Sequence, residues 1–374
     1  MRSSSQFVLA VCAAFAVASA SPVLSSSAVG DWPAVVAKAK QEGVVVVHGA
    51  PGKSYADVFV AAFNRAYPDI KVQFSGASNR TDVPKILRER KAGIYAWDVW
   101  ASGPSTALGA LKPEGVFQPL PPILRPEITD DSKWIGGFAA GWMDLDHNLF
   151  YSFDGTVQHP IIINWDVVSR DEVKTAADLL KPKFAGKIVW DDPRLGGSGN
   201  GSSQTIFQNF GEDFLLKLYG HNVVYSTNKR QQAEWVVRGR YPIAMGLDGA
   251  QVEIFQKQGL GKNIEPVPDN FYKVQQTSSG FGAVGFVDRA PNPNAATVYI
   301  NWLLSEEGQR AWAGIPRTSR RTDVPKHDPM LSPKPGIKYF NGQEERLAAE
   351  RRYLLQVARQ HIKGEMPKAP EGAD

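Results

Sequence analysis

Cysteine is all but missing from this 374-residue chain, and its single copy, Cys12, falls in an apolar stretch near the N-terminus. Without a second cysteine no internal disulfide can form, so stability has to come from a buried core. Charge of one sign is missing too. With 42 Lys and Arg against 38 Asp and Glu the net charge is only +4, which excludes the strongly basic surface of a nucleic-acid binder. The basic clusters Arg317, Arg320, Arg321 and Arg351, Arg352 read as solvated helix or loop faces. No apolar run reaches the roughly 20 residues that a spanning helix needs. The nearest, Phe7 to Ala18, follows Arg2 and precedes the small residues Ser19 and Ala20. It reads as a secretory signal cleaved after Ala20, which implies a periplasmic mature protein and removes Cys12. Lipidation at Cys12 is disfavoured by Val11, where a small residue is expected.

Catalytic signatures are lacking as well. The six histidines form no HExxH pair, and no Gly-x-Ser-x-Gly elbow follows a strand. Gly49 to Ser54 (GAPGKS) ends like a phosphate-binding P-loop, but the glycine that motif needs five positions before Gly52 is Val47. Asp191 and Asp192 are adjacent at a strand end and point to opposite sides, so they read as turn and cap residues rather than an acid-base pair. Asp144 to His147 reads as a solvated loop. No catalytic residue, metal site or cofactor is expected.

What the sequence does have is a strand and helix alternation that predicts an α/β protein with mainly parallel sheets. Val44 to His48 reads as a strand buried on both faces, Ser54 to Tyr67 as a helix and Ile70 to Ser75 as the returning strand. A helix over Val83 to Ala92 and a strand over Asp98 to Ala101 continue the pattern. A second block opens with the apolar strand Pro160 to Trp165. Helices follow at Phe207 to Tyr219, Gln231 to Arg238 and Gln251 to Gln258, with strands at Ile243 to Leu247 and Ala283 to Val287. Asn294 to Gln309 makes an amphipathic helical pair, and a closing helix over Gln343 to Lys363 packs along a lobe surface.

The most informative stretch is Lys187 to Ser203. A strand, Lys187 to Trp190, runs into Asp191 to Pro193, and a turn holding Gly196, Gly197, Gly199 and Gly201 leads to a helix beginning near Ser198 to Ser203. The first amides of such a helix lack partners within it and carry the positive end of its dipole, so this point suits an anionic or polar group.

Together, these residues resemble the periplasmic solute-binding proteins of ABC importers, in their ferric-iron-type branch. The resemblance lies in Val44 to Gly52, in Trp97 to Trp100 (WDVW), in Asp178 to Lys187 (DLLKPKFAGK), in Asp192 to Arg194 before the glycine turn, and in Asn301 to Gln309 (NWLLSEEGQ). It implies the type II fold, two α/β lobes joined by crossing strands with the ligand in the cleft between them. Lobe 1 is expected over 31–155 and 280–325, lobe 2 over 156–279, and a C-terminal segment over 326–374. Ligands of such sheets lie beyond the carboxyl ends of the strands. That rule selects Ser54, Tyr55, Asn79, Arg80, Ser102, Gly103 and Ser105 in the first lobe. In the second it selects Ser198, Gly199 and Asn200 across the cleft, with Asp248 in a fifth turn. Arg194 is a further polar candidate, and Trp100, Trp142 and Tyr272 are candidates for an apolar wall.

Ferric-binding members of the family carry two adjacent tyrosines in the fifth turn, where this chain has Gly249 and Ala250. The expected function is therefore capture of a small polar or anionic organic solute by hinge closure and its delivery to an inner-membrane permease, by a monomer. Iron or an iron complex is the first alternative, and an exported enzyme on the same fold is the second. A sensor subunit is a third. An acidic Asp248 facing the cleft would instead favour a cationic or hydroxyl-rich ligand.

Overall fold

The computed structural model describes residues 31–247 and 249–365. The expected signal segment 1–20 and Asp248 lie outside the described residues, as do the side chains of Arg80 and Ala250.

Four consecutive valines make β1 (Val44–Gly49), whose residues Val45 and Val47 are fully buried. Such a β-branched run, with no polar alternation, belongs to a strand covered on both faces. It pairs in parallel with β2 (Lys71–Gly76) and β3 (Val99–Ala101). The helix between β1 and β2 covers Lys53–Ala56 and Phe63–Ala66, with a π-helical run at Asp57–Ala62. Phe59, Phe63, Tyr299 and Trp302 fill the core beneath it. The first sheet is completed by β4 (Phe117–Gln118), β5 (Phe150–Ser152) and a strand from far along the chain that lies antiparallel between β3 and β4.

After the short β6 (Thr156–Gln158) the chain builds a second sheet from β7 (Ile161–Asn164), β8 (Ile188–Asp191), β9 (Val224–Ser226), β10 (Ile243–Met245) and β11 (Ile264–Pro266). Their order is β11-β7-β10-β8-β9, parallel through β10, β8 and β9, with β7 antiparallel to both its neighbours. Next come β12 (Gln275–Ser278), the returning first-lobe strand β13 (Ala283–Val287) and β14 (Tyr339–Asn341). β14, β12 and β6 form a small third sheet. The result is the two-lobe α/β fold that the sequence predicts, each lobe a parallel set of strands edged by antiparallel ones.

Three segments cross between the lobes and are stitched together. Phe153 and Asp154 both donate their N–H to Gly282 O, at 3.0 and 3.1 Å. Gly155 N–H donates to Thr318 O at 2.9 Å, and Thr318 N–H to Thr156 Oγ1 at 2.9 Å.

Several local expectations are corrected. The helix expected over Phe207 to Tyr219 is two helices, Gly197–Phe210 and Glu212–Tyr219, because Gly211 at φ +81° ends the first. The closing helix spans Ala348–His361, later than expected, because β14 and a 3-10 turn precede it. It buries Leu354, Val357 and Ala358 in the second-lobe core. Arg320 and Arg321, expected on a solvated face, are buried at 7% and 4% exposure. Carbonyl oxygens of Ser152, Ile135 and Gly137 receive the Arg320 guanidinium, and Asp323 with Leu304 O receives Arg321. Arg351 is likewise half-buried, on Gly342 O and Glu344 O, and burial pushes its pKa down to about 10.

Candidate functional site

The carboxyl ends of β1 and β3 lie side by side, and the helix Asn79–Lys91 starts above them. This brings five polar side chains into one network, four of them buried. His48, fully buried, stacks on Trp100 at 3.7 Å between ring centroids. Its Nδ1 lies 2.7 Å from Asp82 Oδ2 and its Nε2 2.9 Å from Asn79 Oδ1. Ser102 Oγ donates to the same Asn79 oxygen at 3.0 Å, and Ser75 Oγ to Asp82 at 2.6 Å. Burial alone would raise the Asp82 pKa, but the hydrogen bonds from His48 and Ser75 outweigh it and hold the carboxyl below its ordinary value. Asn79 is thereby gripped through its oxygen, while its Nδ2 faces Gly103, 4.0 Å from where a Cβ would stand.

Gly103 touches the crossing segments. A Cβ there would lie 3.0 Å from Gly280 O and 3.8 Å from Gln343 Nε2. Tyr55 stands at the same place, its ring 5.5 Å from Phe281 and its hydroxyl accepting from Arg317 Nη2 at 3.1 Å. Ser54 is exposed and Ser105 half-buried, next to this cluster in sequence. Asn79, Ser102, Gly103 and Tyr55 are thus brought together.

In the second lobe the helix beginning at Gly197 packs its start over the end of β8. Its first amides do not all stand open, which corrects the expectation from sequence. Asp191 Oδ2 accepts from Gly199 N–H at 2.9 Å and Ser198 Oγ at 2.8 Å, and it pairs with Lys229 Nζ at 2.6 Å. Lys229 also donates to Ser198 Oγ. Gly199 has room only for hydrogen, because a Cβ would stand 1.9 Å from Asp191 O. Asn200 is different. It is 4% exposed, and its Nδ2 finds no hydrogen-bond partner among the described residues. The next residue, Gly201, faces Gln276 of β12, which bonds Thr205 and Gln204 of the same helix at 2.9 and 3.1 Å. From Gln276 the strand leads to Ser278, bonded to Gln343 at 2.9 Å, and so to Gly103. The third sheet therefore forms the floor on which the turns of both lobes meet.

Other candidates fall elsewhere. Asp192 chelates Arg194 at 2.6 to 3.2 Å, and Arg194 Nη1 reaches Gly364 O, so this arginine ties down the C-terminal segment. Trp100 is core behind the turns. Trp142 packs with Phe138 and Tyr151, and Tyr272 with Phe210 and Phe271, in aromatic clusters of the two lobes. Asp144 is buried and caps the amides of Asn148, Leu149 and Phe150. Lys53 of the P-loop-like stretch pairs with Asp57 on the surface at 2.7 Å. Sequence reasoning missed His48, Asp82, Lys229, Gln276, Gln343 and Arg317. The one readable signal was His48, a polar residue closing a run of valines.

Two lobes, crossing segments and strand-end turns converging on one floor define a type II periplasmic-binding protein. Residues 59–337 match the family of bacterial extracellular solute-binding proteins, and the chain belongs to that family. It is a periplasmic solute-binding protein of the ABC-transporter type; the family and its structural neighbours are binding proteins. Among sequences, it is similar to an uncharacterized protein of Haemophilus influenzae, 21% identical over 284 residues, which span 75% of this chain and 78% of that one. Among structures, it is similar to the periplasmic binding protein AfuA of Actinobacillus pleuropneumoniae, solved with fructose 6-phosphate bound. The TM-score is 0.59 and the identity 21%, over 86% of this chain and 99% of that one. Iron-bound HitA of Pseudomonas aeruginosa superposes at TM-score 0.62 and 15% identity, over 84% of this chain and 99% of that one. At these identities the likeness carries the fold. No helix among the described residues is long and apolar enough to cross a membrane.

Proposed function

We propose that this protein captures a small organic solute rich in acceptor oxygens, a phosphate ester or carboxylate, and hands it to an inner-membrane permease without chemical change. The observation that carries this reading is the buried amide of Asn200. A donor left without a partner inside a protein costs about 1–3 kcal/mol, and a ligand oxygen arriving there recovers it. In the first lobe Asn79 is held by its oxygen beside Gly103, among the turn residues of the candidate site. The open form binds through Ser54, Tyr55, Asn79, Arg80 and Ser102 to Ser105. Closure then brings Ser198, Gly199, Asn200 and Asp248 across, driven by the extra contacts of the shut state. The lobes divide at 31–155 with 280–325 and at 156–279, and the mature monomer begins after Ala20.

A bare ferric ion fits this cleft poorly. His48 has both ring nitrogens engaged inside the first lobe, and Gly249 follows β10 where the tyrosine pair of iron carriers belongs. A thermal-shift panel of fructose 6-phosphate, inorganic phosphate, succinate, ferric citrate and ferric chloride tests the reading. A rise in Tm with an organic anion and none with ferric chloride is expected. Stabilisation by ferric chloride alone, or turnover of a bound anion, contradicts it.

A further inference from the structure

Arg317 stands where the crossing segments meet the first-lobe turns, a position that the candidate ligand residues do not include. Its guanidinium lies flat against Gly280, whose φ of +51° and missing side chain make the room; a Cβ there would stand 2.7 Å from Nη1 and 3.0 Å from Cζ. Gly280 O in turn lies against Gly103, so the fork sits beside the first-lobe turn. Nη2 donates to Tyr55 Oη at 3.1 Å, which leaves the tyrosine's own hydroxyl hydrogen to donate elsewhere. Behind the guanidinium, Asp154 is fully buried in the β5 to β6 crossing. Its Oδ1 accepts from Thr156 N–H at 2.8 Å, and its Oδ2 lies 4.0 Å from Arg317 Nη1, beyond hydrogen-bond range. The carboxyl thus lies behind the fork without a hydrogen bond to it. The Arg317 side chain keeps 24% exposure, enough for a ligand to reach.

We propose that Arg317, with the Tyr55 hydroxyl beside it, receives the anionic group of the solute. The inference rests on the anionic reading above and names the residue that enforces it. A planar fork of N–H donors at the crossing point matches a phosphate or carboxylate in two-point fashion, which a lysine ammonium does not. Because the fork is rooted in a crossing segment, the anion it holds also bears on the hinge, giving the ligand contacts that change as the lobes close.

Titration calorimetry of the full mature chain with fructose 6-phosphate, inorganic phosphate and succinate, and with neutral fructose, tests this. For an anion that binds the wild type, Arg317→Gln is expected to weaken binding by about 30-fold or more and Arg317→Lys by about 5-fold, as loss of a two-point charged contact predicts. Any affinity for fructose is expected to be equal in all three. Wild-type affinity for the anion in Arg317→Gln overturns the role of Arg317 and leaves the anionic reading standing. If none of the anions binds the wild type, the reading and the inference fall together. Should Arg317→Gln not fold, unchanged affinity in Arg317→Lys overturns the proposal on its own.

Discussion

The two lobes build their cleft-facing turns from the same parts, a strand end, a helix start and a buried carboxylate, but they place the carboxylate differently. In the first lobe Asp82 lies in the first turn of the helix Asn79–Lys91 and turns its carboxyl onto the side chains of His48 and Ser75, fixing His48 and through it Asn79. In the second lobe Asp191 sits at the helix start itself, on Gly199 N–H and Ser198, with Lys229 as its counter-charge. A helix start already holding a carboxylate of its own chain has its dipole partly answered. Asp191 occupies a backbone amide of its own helix start, whereas Asp82 is spent on side chains; under the proposed function the first lobe receives the anion and the second contributes neutral donors such as Asn200.

Asp82→Ala should break this difference most severely. Removing one partner of a buried pair costs about 3–5 kcal/mol, so thermal melts are expected to fall by many degrees and anion binding to be lost with the grip on Asn79. Because the native Asp82 pKa lies below its unfolded value, its contribution is present above the unfolded pKa and lost as pH falls through the native one. The variant is expected to lose that part of the acid sensitivity, and melts that keep the wild-type acid slope would contradict the role given to Asp82.

Asp154→Asn is expected to act in the opposite direction. Burial pushes the Asp154 pKa up to about 7, against the pull of Arg317 and Thr156. The native state then holds a proton that the unfolded chain releases near pH 4, so stability falls as pH rises from about 4 to about 7 and levels off above. Melts from pH 4 to 9 should show that slope flattened in the variant, with a higher Tm than wild type at pH 8. A steeper slope would place the charged form of Asp154 in the native state.

Asp191→Asn is a smaller change that sharpens the comparison. Weakening the cap on Gly199 and the pair with Lys229 should cost about 1–2 kcal/mol. With the negative charge gone from the helix start, affinity for an anion should rise a few-fold by calorimetry. A fall in affinity would mean that Asp191 positions Ser198 for the ligand. Smallest of all, Lys53→Ala removes an exposed pair with Asp57 and is expected to leave Tm and affinity unchanged. A measurable loss of affinity would return the P-loop-like stretch to the site.

The buried central strands were legible because β-branched runs and short-range spacing report burial directly, whereas the short strands β4, β5, β6, β9, β11, β12 and β14 were not. Val44 to His48 is one residue short of β1, and the helix expected to start near Ser198 to Ser203 starts at Gly197. The break at Gly211 was not legible, since one glycine inside an apolar helical pattern is tolerated as often as it terminates. Arg320 was misread because its partners, the carbonyls of Ile135 and Gly137, lie far along the chain, and Arg321 because its burial against Asp323 and Leu304 O depends on the folded packing around it. The site failed in the same way. Turn positions can be picked from strand ends, but that His48 grips Asn79, that Asp191 fills its own helix start, and that Arg317 reaches Tyr55 from 262 residues away are products of the folded arrangement.

Native mass spectrometry of the protein purified from its host periplasm, with mass identification of whatever denaturation releases, tests the central claim most directly. A small oxygen-rich organic anion, retained by Lys53→Ala and lost from Arg317→Gln, is the predicted result. A bare ferric ion, or an uncharged solute held equally by both variants, would contradict the account.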